Sequence, residues 1–473
     1  MKNLLLWITM LLLNLSYANN IFEIPLGKTD KLQGTYSALL SNNITAHFVL
    51  IRNSESKQYE LTPYIVNAAA KVSKLSTFSS KEVPEIISHH QNGNTVSIVT
   101  FNKSQKAIFL IDFDINTGKY EVAKHDQKED YTHLFRLADK TLIVRFDKAN
   151  NSLILKSLSD TDTFNEIRFT VPAEKIKLFK KISGKIPESL NQEEFVKNGS
   201  IAELKAYFSE GRLIYTLAKD KSEVQIFEFD NRIQNDFKHQ IIDPGTTKES
   251  KELATYVSDH KLVVVTTEKE DVKIKSFDLS NGQEVSMFSA RNDLSHVVSN
   301  EELLAFLKAT SKASMVPTVT VNKTTDNNLA IRIDQVNKTE YAYHYDWWFH
   351  HWYFQHQVWH QQQMIRQMQM TMPRGGFGPS ANYFDAFTGY MSKEKAKSSP
   401  IVFMLTSDFK SIRNGKGQTV FRDIEKDKYV DKYKDDKNIK EFSSEFAESE
   451  MRYVYLDRKA WVIRIATVAM EQE

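Results

Sequence analysis

The sequence predicts an all-β protein, a β-propeller with seven blades as the expected number and six or eight as alternatives. Three observations predict it. Short apolar strands opened by turn-prone residues recur along the chain, a Phe-Asp-x-x-[Thr/Asn]-Gly hairpin returns among them, and both ends carry strands without obvious local partners.

The strands are "NTVSIVTF" from Asn94, "DKTLIVRF" from Asp139, "GRLIYTLA" from Gly211, "HKLVVVTT" from His260, "EELLAFLK" from Glu301 and "RKAWVIRI" from Arg458. Aligning Val96, Leu142, Leu213, Leu262 and Leu303 gives spacings of 46, 71, 49 and 41. The long interval contains an insertion at 172–200, and removing it restores a blade-like period. A pair of packed β-sandwiches is the alternative architecture.

The hairpins are "FDINTGK" (Phe113 to Lys119), "FDLSNGQ" (Phe277 to Gln283) and "FDAFTGY" (Phe384 to Tyr390). Asp folds its carboxylate onto the following backbone, and Gly accepts the positive φ of a tight reversal. At the ends, "MRYVYLDRKAWVIRIATV" (Met451 to Val468) reads as the first two strands of a blade, and "ITAHFVLIRNSESKQYELTPYIV" (Ile44 to Val66) as strands lacking a first partner. Pairing the two would close the propeller and protect both edges.

On these strands and hairpins the chain resembles bacterial extracytoplasmic β-propellers of the YVTN-like and quinoprotein-like kind, over about residues 84–336. The resemblance implies blades that end on strand, Asp, turn, Thr-Gly-Lys and strand. Quinoprotein enzymes of that group carry repeated tryptophan docking motifs and often an adjacent cysteine pair. This chain has neither, so the resemblance implies no quinone cofactor.

Composition narrows the function. The 473 residues are 41% hydrophobic and 26% charged, within the globular range. A formal charge of +2 and the lack of an arginine-rich face leave nucleic acid without electrostatic support. The start, "MKNLLLWITMLLLNLSYANN", has a basic residue at Lys2, an apolar run from Leu4 to about Leu13, and small residues Ser16 and Ala18. The expectation is a signal peptide over 1–18 cleaved after Ala18, then a single propeller domain over 19–473 with insertions at 172–200, 337–395 and 421–450. The run is shorter than the about 20 residues a spanning helix needs. The mature chain is thus expected to be soluble, without a transmembrane helix, and exported to the periplasm or beyond. Zero cysteines exclude disulfides, thiolate metal sites and cysteine nucleophiles, and suit an oxidising compartment.

The insertions carry the chain's individuality. Residues 172–200 cluster Lys175, Lys177, Lys180, Lys181 and Lys185 among apolar residues, which reads as a basic amphipathic helix facing an anionic partner or as a solvated insertion. Residues 421–450 alternate in charge, as an exposed helix or loop does. A calcium reading fails there, and at "DFDINTG" from Asp112, because the ligand spacing is wrong.

Residues 345–372, "YDWWFHHWYFQHQVWHQQQMIRQMQMTM", hold four of the chain's six tryptophans. A helix from Asp346 to Thr371, stopped by Pro373, places Trp348, Trp352 and Trp359 on one stripe and Phe349, Tyr353, His356, His360 and Met364 on the next. Trp347, Trp348, Trp352, Tyr353 and Trp359 are the candidate partner-binding residues, since such rings bury large areas and keep a polar tip. His356 and His360, with Met364 and Met368, are the candidate metal ligands. Imidazole and thioether select soft monovalent copper. His356 to Met368 spans about 18 Å at 1.5 Å per residue, so one helix cannot wrap all four around one ion.

No Gly-x-Ser-x-Gly elbow, His-Glu-x-x-His, phosphate loop or Gly-x-Gly-x-x-Gly is present, and no residue is assigned a catalytic role. His89 and His90 read as structural. The expected function is therefore an exported, non-enzymatic binding or scaffold propeller that needs no cofactor and docks a protein partner through 345–372. The alternatives are a periplasmic copper-binding protein and a propeller hydrolase or lyase with a central-channel site.

Overall fold

The computed structural model describes residues 19–470 apart from 103, 127–130, 162–163, 194, 197–198, 231, 233–236, 313, 338–399, 413–416, 425 and 435. Among the described residues the chain forms seven antiparallel sheets, numbered I to VII in chain order. Six are consecutive in sequence, and the first strand of each antiparallel run is the inner one: Lys31–Leu40 in I, Glu85–Asn92 in II, His133–Arg136 in III, Leu204–Ser209 in IV, Glu252–Ser258 in V and Met315–Lys323 in VI. Sheet VII takes Ile439–Phe446, Glu450–Asp457 and Val462–Ala469 from the end of the chain and its outermost strand, Asn19–Pro25, from the start. This is a β-propeller, with sheets stacked face to face.

Strand composition follows from that stacking. Both faces of each blade are buried, so alternate residues of one strand serve different neighbours. In Ile44–Arg52, Ala46, Phe48 and Leu50 pack with sheet II while Val49 packs with sheet VII. In Arg212–Leu217, Leu213 and Tyr215 meet sheet III while Ile214 meets sheet V. Such strands read as continuous apolar runs rather than as alternation.

The hairpin chemistry holds at two of its three expected sites. Asp114 Oδ1 accepts from the amides of Asn116 (2.8 Å) and Thr117 (2.6 Å), and Gly118 has φ of 71°. Asp278 caps Ser280 in the same way, with Gly282 at φ 73°. "FDAFTGY" lies outside the described residues.

Two strand readings need correction. "EELLAFLK" is helical, because Ser299 and Glu302 form a reciprocal capping box that starts a helix over Asn300–Thr310. Leu303, Phe306 and Leu307 of that helix fall on one face and enter the core shared by sheets IV, V and VI. The strand that pairs with the C-terminal one is Asn19–Pro25. Ile44–Arg52 and Tyr59–Val66 have their own first partner in Lys31–Leu40, and Met451–Val468 supplies second and third strands, not first and second.

Three helices can now be labelled: α1 (Ile176–Ser183), α2 (Asn300–Thr310) and α3 (Lys426–Lys434). Because successive strands run in opposite directions, connections alternate between two faces of the propeller. First-to-second and third-to-fourth turns share one side, here the hairpin face. Second-to-third and sheet-to-sheet connections share the other, the insertion face, which carries α1, α2 and both ends of the connection 338–400. The linker before α3 is different. Val420 donates to Lys323 O (2.8 Å) and Arg422 to Glu448 O, both on the hairpin side. α3 then returns along sheet VII, its Val430 packing with Met451, Tyr453 and Val468 on the face opposite sheet I.

Removing Asn19–Leu26 takes Ile24 and Leu26 out of the core between sheets VII and I and opens the Val462–Ala469 edge. Two large apolar side chains at about 1.5 kcal/mol each predict a stability loss of at least about 3 kcal/mol, with self-association. Thermal unfolding and light scattering check this, and an unchanged midpoint refutes it.

Candidate functional site

The centre of a propeller is the natural place for a site, and here much of it is filled by the chain itself. After α1, residues Glu188–Leu190 form an extra strand parallel to Leu204–Ser209, on the inner side of sheet IV. The loop beyond reaches three other sheets. Glu193 Oε2 accepts from Ala138 N (2.6 Å) beside sheet III, and Gln192 Nε2 donates to Val257 O (2.5 Å) in sheet V. Val196 and the side-chain amide of Asn322 in sheet VI exchange two hydrogen bonds of 3.0 Å each.

Gly199 is required by this path, because a Cβ there would overlap the backbone of Val319. Ser200 Oγ then donates to Glu188 Oε2 (2.6 Å) and ties the two arms of the insert together. The insertion at 172–200 is therefore not a solvated appendage. Phe179 and Ile182 of α1 are fully buried between sheets III and IV, and Leu190 belongs to the core under sheets IV to VI.

Under the insert, Lys205 is buried and donates to Thr255 O (2.8 Å) and Thr255 Oγ1 (3.1 Å), linking sheet IV to sheet V. Burial lowers its pKa to about 8, and the nearby carboxylate of Glu188 opposes the shift. The amine is enclosed and holds two acceptors, so its role is to clamp two inner strands.

The same device recurs with imidazole. Tyr36 OH meets His89 Nδ1 at 2.5 Å between sheets I and II. His90 Nε2 donates to Ser159 O (2.8 Å), and His90 Nδ1 lies 3.1 Å from Thr141 Oγ1, between sheets II and III. His133 Nε2 is 3.1 Å from Tyr215 OH between sheets III and IV. His47 Nδ1 meets Ser37 Oγ at 2.7 Å, and that hydroxyl contacts Ser443 Oγ of sheet VII at 2.8 Å.

All four rings are buried. Burial lowers the pKa of His47 and His133 to about 3, with Arg452 adding to the shift at His47, and it moves His89 and His90 in the same direction. Fully buried Arg452 completes the seam between sheets VII and I, donating to Asn43 O (2.7 Å) and Val66 O (3.0 Å) and pairing with Glu450. His89 and His90 thus sit in structural positions. Asp112 is also buried, and its Oδ2 accepts from Thr161 N (2.7 Å).

Each clamp between two sheets joins residues 50 or more positions apart, so the sequence signalled none of them. His356, His360, Met364, Met368, Trp347, Trp348, Trp352, Tyr353 and Trp359 lie outside the described residues, as does the expected signal segment 1–18. Among the described residues no group of three or more His, Asp or Glu is placed to hold a metal ion, and no helix is long and apolar enough to cross a membrane.

Two predictions follow from this geometry. Each histidine held neutral takes up its proton more readily in the unfolded chain, whose imidazoles titrate near pH 6.5. Stability therefore falls as pH drops from 6.5 toward 3, by up to about 1.4 kcal/mol per pH unit for each such ring. Glu441, raised to about 7 by burial, acts oppositely, losing stability as pH rises from 4.5 through 7, as do Asp112 and Glu193, also raised by burial, but these three carboxyls are outnumbered by the histidines whose pKa is lowered. Denaturant midpoints across this range check the sign, and His133→Phe should flatten the slope by about one proton's worth. Separately, Gly199→Ala should cost about 1–3 kcal/mol by forcing the insert off sheet VI. Equal unfolding midpoints for this variant and the parent refute that.

No protein-family model matches the chain, and no curated protein matches its sequence. Among solved structures it is similar to the β-propeller domain of the Trilobed protease from Pyrococcus furiosus, at 8% identity over 94% of this chain and 96% of that one, with a TM-score of 0.30. It is similar also to the WD40 domain of SCAP from fission yeast, at 8% identity over 95% and 98%, with a TM-score of 0.27. An apocarotenoid oxygenase of Synechocystis is 8% identical over 56% of this chain, which spans 63% of the oxygenase, with a TM-score of 0.27. Superpositions at this level carry no argument, and the β-propeller fold rests on its own strand pairings.

Proposed function

We propose that this chain is an exported binding or scaffold propeller of the bacterial extracytoplasmic kind, which docks a protein partner through residues 345–372. The observation that carries the reading is the connection of that segment. It leaves sheet VI at Asn337 and re-enters at Ile401, on the insertion face, as the long member of a set of second-to-third connections that elsewhere span only a few residues. The insert at 186–203 occupies the inner side of sheets III to VI, which favours recognition on a face over catalysis in an open channel. Trp347, Trp348, Trp352, Tyr353 and Trp359 supply the anchoring rings of the docking stripe.

Deleting 345–372 and joining its flanks tests this. The expected outcome is an unchanged unfolding midpoint with at least about a hundredfold loss of partner recovery in a cross-linking pull-down, as removal of a hot-spot cluster entails. Undiminished recovery refutes the docking role. The copper alternative predicts a stoichiometric metal load on purified protein that His356→Ala/His360→Ala abolishes, together with a copper-dependent rise in melting temperature.

A further inference from the structure

We propose that the insertion face, centred on α1, is a docking surface for an anionic lipid bilayer. This does not rest on the 345–372 reading. It starts from the division of α1 into two faces. Phe179 and Ile182 are buried, whereas Lys177, Lys180 and Lys181 are exposed, and no acidic residue occurs between Lys175 and Pro187.

Lys175 donates to Phe237 O (2.8 Å) and Lys181 to Gln225 Oε1 (2.9 Å), both neutral acceptors, and Lys185 pairs with the carboxylate of Glu203 at 2.6 Å. Immediately after them stands Ile186, 83% exposed.

The pattern repeats elsewhere on this face. Leu304 of α2 is 58% exposed, one turn before Lys308, with Glu301 one turn before it. Trp461, 44% exposed and held at φ 58°, follows exposed Arg458 and Lys459 in the turn between two strands of sheet VII.

The choice of occupant follows from how these tips are spread. Each pairs an apolar side chain with a neighbouring cation, and the three sit on connections of different sheets. A compact protein partner needs one contiguous apolar patch. A planar anionic surface meets separated tips together, with lysine stems reaching the headgroups and apolar tips entering just below them. The cleft beside α1 is lined by Lys181, Lys185 and Lys219 together with Asp220 and Glu223, which offset part of the charge there, so the attraction falls chiefly to Lys177 and Lys180 on the outer side of the helix.

The test is vesicle sedimentation with the chain starting at Asn19, which keeps every described element and leaves out the apolar run at 4–13. The probes are phosphatidylcholine vesicles with and without about 30% phosphatidylglycerol. Binding is expected only to the anionic vesicles at low salt, with release as the Debye length shrinks to about 3 Å near 1 M salt. Lys177→Glu/Lys180→Glu should weaken it at least about tenfold, and Ile186→Ser and Trp461→Asn should weaken it further.

Lys71→Glu/Lys119→Glu, on the hairpin face, should leave binding unchanged, and circular dichroism confirms that each variant is folded. Equal binding to neutral vesicles overturns the proposal, as does indifference to the α1 lysines. So does capture by soluble polyglutamate with none by vesicles, which would assign the face to an acidic protein instead.

Discussion

The described sheets are apolar on both faces and bury them against neighbouring sheets or, on one face of sheet VII, against α3, so the seam between sheets is the constraint on which the rest depends. Apolar clusters fill the seams from sheet VII through sheet VI, with Val49 and Val454 at one and Phe146 and Tyr215 at another. Apolar packing alone leaves the relative height of two sheets weakly fixed. The inner-strand clamps supply that register: Ser37 to Ser443, Tyr36 to His89, Thr141 to His90, Tyr215 to His133, and Lys205 to Thr255. The last four are buried, so a shift of one sheet would strand a polar group without water, at about 1–3 kcal/mol.

The departures from the repeat are built on the same principle. α1 and the insert behind it convert the centre of the propeller into core: Leu190 joins the apolar cluster, and backbone polar groups that would otherwise face the channel meet Gln192 and Asn322. α3 does the equivalent on sheet VII, where Val430, Phe446 and Tyr453 pack together and Tyr433 lies against Phe442 and Tyr453. A helix can cover a sheet face there because its apolar stripe is about as wide as a strand pair.

The periodic features were legible in the sequence. Turn-plus-strand units such as Asp139 to Phe146 and His260 to Thr267 match second strands of their sheets, and the Asp-x-x-x-Gly reversals at Asp114 and Asp278 form as their chemistry requires. Apolar content misled at "EELLAFLK", where a local capping box outweighed the run of leucines and phenylalanine. Of the expected docking and metal residues, the described part of the molecule shows the two points of attachment, Asn337 and Ile401.

The sequence by itself determined the turn type at Asp114 and Asp278 and most of the strand character, because these depend on residues a few positions apart. It left the segment Lys175 to Lys185 open between an amphipathic helix and a solvated insertion, and the packing of Phe179 and Ile182 decided that. Only the tertiary structure decided which strand completes sheet VII, where the insert at 186–203 goes, and which hydroxyl each buried histidine meets. Asn19–Pro25 pairs across more than four hundred residues with Val462–Ala469, and Val196 meets Asn322 across 126. Pairings of that range are fixed by the stacking of whole sheets, and no local pattern encodes them.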